Sequence, residues 1–193
     1  MAINDWDWQL LQGIPFVNRM DNGLTKPKKK ILGLDVAGRI ESVGNGVSTL
    51  KPGDEVYGDI SGGFGGFSEY VCAKEKQLAL KPSCISFEEA AATSHAANLA
   101  VQGLIDVGRI RQGQKILING AGGGVGTFGI QIAKQYGVEV TGVDNAGKLE
   151  LMKSHGFAHV IDYMKEDFTR NGKQYDLIQI GRASCRERVC HRV

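Results

Sequence analysis

Twelve residues, Lys115-Ile-Leu-Ile-Asn-Gly-Ala-Gly-Gly-Gly-Val-Gly126, limit what this chain can fold into more than any other segment. KILIN is a short continuous apolar run, the mark of a strand covered on both faces. A glycine-rich turn follows it, then a helical pattern over 124–136 and a second apolar run, VEVTGV. A helix at about 147–155 and the strands HVIDY and YDLIQI continue the alternation. Strands alternating with helices of this length predict βαβ units and a parallel sheet. About four such strands are present, fewer than the six of a complete doubly wound sheet.

The turn also has a chemical reading. A G-x-G-x-x-G pattern lets backbone N–H groups approach a pyrophosphate and lets the following helix pack closely on its strand. Here Ala121 takes the first position, and Gly123 and Gly126 hold the other two. The candidate cofactor cradle is therefore Gly122, Gly123, Gly124, Val125 and Gly126, at a helix N-terminus whose dipole favours an anion. VEVTGV ends at Asp144, about 20 residues past the glycines, where a carboxylate can accept hydrogen bonds from an adenosine ribose. Lys148 lies one turn further and can instead neutralise a 2′-phosphate. The two signals point to different cofactors, NAD and NADP.

Before residue 86 the pattern is different, with short strands and glycine-rich turns predicted. ILGLDVAGRIESVG reads as a strand entering a turn at Asn45-Gly46. KPGDEVYGDI adds a Pro-Gly turn and a strand, and FSEYVCA and QLALKP supply two more by their period-two apolar residues. That half is an all-β, partly barrel-like unit. SFEEAAATSHAANLAVQGLIDVG then opens a helix, with Ser86, Glu88 and Glu89 as its N-terminal signal.

Composition excludes several classes. The 27 glycines have no period, so collagen-like and solenoid folds fail. No stretch approaches the ~18 apolar residues of a membrane span. The acidic, aromatic start MAINDWDWQLLQG is unlike a signal peptide, so a cytoplasmic location is expected. The net charge of +2 is concentrated near the end, where Arg182, Arg186, Arg188 and Arg192 face only Glu187. Lys26, Lys28, Lys29 and Lys30 have no interleaved aromatics and read as a solvated loop, so no nucleic-acid partner is expected. Cys72, Cys84, Cys185 and Cys190 form no CxxC pair, and Cys72 and Cys84 are expected as free thiols. From Ile180 the periodic pattern stops. Residues 180–189 fit one reading frame of a common sequencing adapter, so 180–193 is expected to be a non-native tail.

KILINGAGGGVGTFGIQIAKQYG, together with GLDVAGRIESVGNGVSTLKPGDEVYGD, resembles the medium-chain dehydrogenase/reductase superfamily, and within it the zinc-free quinone oxidoreductase-like branch. The resemblance implies an α/β protein in which an incomplete GroES-like β-rich domain at 1–85 precedes a truncated Rossmann domain at 86–179. Zinc-dependent relatives place a Cys ligand where this chain has Asn4 and a Gly-His-Glu where it has Gly33-Leu34-Asp35. The third ligand position falls near His95. Catalytic zinc takes three protein ligands, and at most one survives, so no metal is expected. His95 is then read as a helix or pocket residue. In zinc-free relatives the position of Asn4 lines the nicotinamide pocket, and Lys148 and Tyr163 match residues around the 2′-phosphate of NADPH. Asn98-Leu99 departs from the Leu-Thr usual near the nicotinamide.

The resemblance thus implies an NAD(P)H-dependent oxidoreductase, leaning to NADPH, that passes hydride to a quinone or α,β-unsaturated carbonyl. Without zinc, such an acceptor must delocalise the developing charge itself. Asp7 is expected to cap local backbone rather than act as a base. A zinc-type alcohol dehydrogenase and a non-catalytic nucleotide-binding protein on the same fold are the alternatives. Relatives extend beyond both ends of this chain, so the isolated chain is expected to be poorly stable and inactive, and its parent to form a homodimer.

Overall fold

The computed structural model describes residues 1–181 and divides into two compact units, Met1–His95 and the chain from Ala96 onward. In the first unit, β1 (Asp35–Arg39), β2 (Glu55–Asp59) and β3 (Leu78–Leu80) form an antiparallel sheet in that order. Asp35 pairs with Asp59 and Arg39 with Glu55. Leu34, Val56 and Ile60 are its buried apolar residues. The Asn45-Gly46 turn forms, with the Val47 N–H donating to the Gly44 carbonyl at 3.1 Å. The strands themselves close further in, where Gly53, at φ +91°, donates to Ile40.

FSEYVCA is not a strand. Its residues have no ladder partner among the described residues, and Tyr70 is exposed. Alternation reports a possible face, but a strand also needs a neighbour to satisfy its backbone. Two helices with no forecast in the sequence precede the sheet, α1 (Asp5–Gln12) and α2 (Val17–Asn22). The α1 helix ends at Gly13, whose φ of +63° makes the left-handed C-terminal cap natural for glycine. Lys26, Lys28, Lys29 and Lys30 are exposed, and Cys72 and Cys84 are free and exposed.

The helix α3 (Phe87–Val101) starts from a closed capping box. The Glu89 N–H donates to Ser86 Oγ (3.1 Å) and the Ser86 N–H to Glu89 Oε2 (2.8 Å). Glu88, also read as a start signal, is not part of that box. A single π-helical segment, Gln102–Val107, extends α3.

The second unit is the parallel sheet that the apolar runs predict. β4 (Lys115–Asn119), β5 (Glu139–Asp144), β6 (His159–Asp162) and β7 (Leu177–Ile180) lie in the order β6-β5-β4-β7. The helices α4 (Gly124–Gln135) and α5 (Leu149–His155) connect them, and a 3₁₀ turn, Ala146–Lys148, precedes α5. Ile116 and Ile118 pack with Ile130, Ala133, Val140, Met152 and Phe157, and Leu117 with Val143 and Ile161. Successive β4 side chains thus feed opposite cores, and each fully buried one contributes roughly 1.5–3 kcal/mol. The strand order reverses between β4 and β7, so a crevice opens at the carboxyl ends of those strands. Among the described residues no helix is long and apolar enough to cross a membrane. The expected non-native tail, 180–193, begins too early. Ile180 completes β7 opposite Asn119, and the Gly181 N–H donates to the Asn119 carbonyl at 2.7 Å, because the β4 edge still has backbone groups to pair. Residues 182–193 lie outside the described residues.

Candidate functional site

The glycine turn sits at the carboxyl end of the central strand, as its sequence requires. The Gly120 and Ala121 N–H groups continue the ladder to the Val143 carbonyl at 2.9 and 3.1 Å. Gly120 has φ +77°, which turns the chain away from the sheet. The Gly123 N–H closes a tight turn on the Gly120 carbonyl, and α4 begins one residue later. Gly123 is the N-cap and supplies no side-chain cap. The first-turn N–H groups of Gly124, Val125 and Gly126 therefore form an uncapped helix N-terminus at the end of β4. A Cβ on Gly126 would overlap the Ala121 carbonyl, which fixes how closely α4 approaches its strand.

Asp144 closes the other side of the turn. Its Oδ2 accepts the Gly122 N–H at 2.9 Å and its Oδ1 the Asn145 N–H at 2.8 Å. Lys148 Nζ lies 3.6 Å from the same Oδ2. The Tyr163 N–H donates to the Asp144 carbonyl at 3.2 Å, because Asp144 pairs with Asp162 across β5 and β6. Gly122, Asp144 and Lys148 thus meet at one edge of the turn, to which Tyr163 is joined through its backbone N–H. Asp144 is buried at 6% exposure, whereas the Lys148 side chain is 39% and Tyr163 46% exposed.

A cleft of about 390 Å³ lies at the β4–β7 reversal, lined in part by Gln102, Val125 and Gln179–Gly181. Gln179 donates through Nε2 to the Leu99 carbonyl, while its buried Oε1 has no hydrogen-bond partner. Four glycines around Val125, an uncapped helix N-terminus and an orphan acceptor in the cleft fit a dinucleotide.

In the first unit the structure ties Asn4, the expected pocket residue, and His95 into a network with Asp35 and Asp59, two residues with no predicted site role. Asn4 Nδ2 donates to Asp35 Oδ2 (2.9 Å), the His95 N–H to Asp35 Oδ1 (2.9 Å), and His95 Nδ1 meets Asp59 Oδ2 (2.8 Å). Burial pushes the Asp35 carboxyl above its usual range, against the pull of Asn4 and the His95 N–H. Asp59 is also partly buried, but its bonds to His95 and Ser61 hold it below the usual range. The Asp59 bond raises His95 above the ordinary histidine value, although burial opposes it. Asp7 is buried and accepts the N–H groups of Asn4 and Gly33 at 3.0 Å each, a backbone cap as expected. Residues 31 to 60 positions apart make this network, so no local motif announces it.

The three zinc-ligand positions do not suit zinc. Asn4 spends its amide N–H on Asp35, Leu34 is an aliphatic side chain at 0% exposure, and His95 is tied to Asp59. Catalytic zinc needs three N, S or O ligands facing one point. Among the described residues no group of three His, Cys, Asp or Glu side chains is placed to hold a metal.

A small antiparallel sheet is thus followed along the chain by a parallel sheet whose central strand ends in a glycine turn at a helix N-terminus. Residues 1–83 match the family described as Alcohol dehydrogenase GroES-like domain, and 124–178 the family described as Zinc-binding dehydrogenase. The chain belongs to the medium-chain dehydrogenase/reductase superfamily, on its quinone oxidoreductase-like branch, with GroES-like and Rossmann-type parts. It is 43% identical to 2-methylene-furan-3-one reductase of Solanum lycopersicum over 161 residues, covering 79% of this chain and 41% of that one. Over 161 residues it is 39% identical to the chloroplastic NADPH-dependent alkenal/one oxidoreductase of Arabidopsis thaliana, covering 79% and 42%. The Escherichia coli quinone oxidoreductase complexed with NADPH superposes with a TM-score of 0.75 at 29% identity, covering 86% of this chain and 49% of that one. The chain spans about half the length of the relatives it matches.

Proposed function

We propose that this chain is part of a zinc-independent, NADPH-dependent reductase that delivers hydride to a quinone or an α,β-unsaturated carbonyl. The observation that carries the proposal is the uncapped N-terminus of α4 beside the Asp144–Lys148 pair. In this reading the N–H groups of Gly124, Val125 and Gly126 hold the pyrophosphate, and the small Gly122 and Gly123 let it approach. Asp144 is turned inward and committed to the Gly122 and Asn145 N–H groups, so its role is to hold the turn. The exposed Lys148 and Tyr163 then meet the 2′-phosphate, which favours NADPH over NADH. Asn4, fixed by Asp35, borders the nicotinamide pocket within the unit assigned to 1–85, and 86–179 carries the nucleotide. The cofactor, when bound, supplies the hydride, and the protein contributes orientation and a shaped pocket. The names of the relatives, an alkenal/one oxidoreductase and a quinone oxidoreductase among them, support this acceptor class. A cytoplasmic setting and a homodimeric parent belong to the same proposal.

Fluorescence titration of the full-length protein with NADPH and NADH, followed by oxidation assays with benzoquinone and 3-penten-2-one, tests it. NADPH binding with acceptor-dependent oxidation is expected. Preference for NADH would make Asp144 the deciding residue, and binding of neither would reduce the glycine turn to a structural element. Bound zinc in a metal assay would revive the alcohol dehydrogenase alternative.

A further inference from the structure

We propose that His95, aimed by Asp59, donates the proton to the acceptor's carbonyl oxygen, and that Trp6 and Phe64 form the surface on which a conjugated acceptor lies. The inference rests on the reductase reading above and adds to it the group that completes the reduction.

Asp35 and Asp59 stand opposite each other on β1 and β2, an arrangement that is unfavourable for two carboxylates unless something separates or neutralises them. Here His95 bridges them, with its backbone on Asp35 and its ring on Asp59. A carboxylate on Nδ1 fixes the ring orientation and favours its protonated form, leaving Nε2 as the other ring nitrogen able to donate. Nε2 makes no hydrogen bond among the described residues, so the chain of bonds running through Asp59 ends at a free donor. By contrast, His159 faces Glu139 at 3.4 Å with half its side chain in solvent, an ordinary surface pair. The charged groups around the His95 ring are Asp59 on β2, Asp35 on β1 and Asp7 on α1, all acidic.

A second observation points to what the donor faces. The Trp6 ring stacks on the His95 ring, with centroids 6.0 Å apart, and meets Phe64 edge-on at 5.7 Å. Phe64 has φ +62°, a left-handed conformation that is strained for a bulky residue and concentrates at functional sites. Trp6 remains 37% exposed. A partly open aromatic cluster next to an oriented imidazole suits a flat, conjugated carbonyl compound.

The step balances as follows. The bound cofactor would supply a hydride to the β-carbon of the enone, and the conjugated electrons would then shift until a pair rests on the carbonyl oxygen. The Nε2–H bond of the imidazolium breaks towards that oxygen and an O–H bond forms, giving an enol and a neutral imidazole. The enol reverts to the saturated ketone by exchange with water, and His95 regains a proton from solvent. One nicotinamide is oxidised, one enone is reduced and one proton is consumed. A quinone receives its proton from the same nitrogen and leaves as the quinol.

The test uses His95→Gln, which keeps the backbone bond to Asp35 and a side-chain amide near Asp59, and Asp59→Asn, in the full-length protein. With 3-penten-2-one, H95Q should lose roughly 100-fold in kcat, within the usual range for a positioned acid, and lose the alkaline limb of the pH profile. NADPH binding by fluorescence should be unchanged. D59N should move that limb to lower pH and lose less activity. In the cofactor-free protein, nitrogen NMR of the His95 imidazole should show a midpoint above the ordinary histidine value in wild type, falling in D59N. Wild-type turnover by H95Q with an unaltered profile, or an imidazole midpoint at or below the ordinary value, overturns the proposal while leaving the reductase reading intact. Absence of NADPH binding by the wild type overturns both.

Discussion

Gly126 and His95 show how single positions carry different obligations. At Gly126 the constraint is volume, since a methyl group would strike the Ala121 carbonyl, which belongs to the turn and cannot swing away. Gly126→Ala should cost about 1–3 kcal/mol, typical of overpacking, and weaken NADPH binding because it displaces the helix N-terminus. Urea denaturation and fluorescence titration check the two effects, and an unchanged midpoint would disprove the close packing. At His95 the constraint is charge. Its folded pKa is raised, so its stabilising effect is full below the unfolded value and is lost as pH rises through the folded one. Asp59 is depressed, so its effect is present above the unfolded carboxylate value and is lost as pH falls through the folded one. The pair should therefore stabilise the first unit between the acid edge of Asp59 and the alkaline edge of His95. The melting-temperature difference between wild type and H95Q should be largest inside that window and shrink at both ends. A pH-independent difference would mean packing, not charge, holds the site. The glycine turn, Asp144 and Lys148 were legible as a local arrangement because a strand, a turn and their spacing place them. Tyr163 came from the family resemblance alone, and the cofactor roles of all of them belong to the proposal. Asp35, Asp59 and His95 were not, because only the β1–β2 register and the position of α3 bring them together.

Whole elements were readable where one local signal settled both type and partner. In β4, β5 and β6 an apolar run without alternation implies cover on both faces, and a parallel sheet with crossover helices supplies it. FSEYVCA failed because its alternation is equally compatible with an irregular segment, and nothing in seven residues states where a ladder partner is. The two helices before β1 were missed for a related reason. Their residues include exposed Trp8, Leu11, Val17 and Met20, so no apolar stripe marks a buried face. The start of α3 was legible as a region, but the geometry of the box decides that Glu89, not Glu88, closes it. Ser86→Ala should accordingly cost about 1 kcal/mol, and Glu88→Ala less, since only the former opens the reciprocal box with Glu89. Chemical denaturation of the two variants separates the roles, and equal losses would show that helix-dipole charge rather than the box stabilises the start.

At the scale of the molecule, the division into Met1–His95 and the chain from Ala96 onward separates the two halves of the proposed chemistry. The groups assigned to the adenosine end, Gly122–Gly126, Asp144, Lys148 and Tyr163, all lie in the second unit. Asn4, Asp35, Asp59 and His95 all lie in the first. A ligand that binds only the folded state stabilises it by an amount set by its concentration over its dissociation constant, about 2.7 kcal/mol at a hundredfold excess. Hydrogen exchange locates that stabilisation. Adenosine 2′,5′-bisphosphate carries the 2′-phosphate but no nicotinamide, so it should slow exchange at the start of α4 and around Lys148 and Tyr163 while leaving α1 and β1 unchanged. NADPH should give the same protection and add protection around Asn4. Lys148→Ala should remove most of the bisphosphate's effect and reduce NADPH affinity roughly tenfold, as expected for losing one charge-assisted contact of about 1.4 kcal/mol. NADH affinity should change little, because no phosphate meets the lysine. If NADPH protects the second unit alone, Asn4 does not border the nicotinamide. If K148A weakens NADH as much as NADPH, Lys148 serves to hold Asp144 and the glycine turn in place, and the preference for a 2′-phosphate must come from elsewhere in the protein.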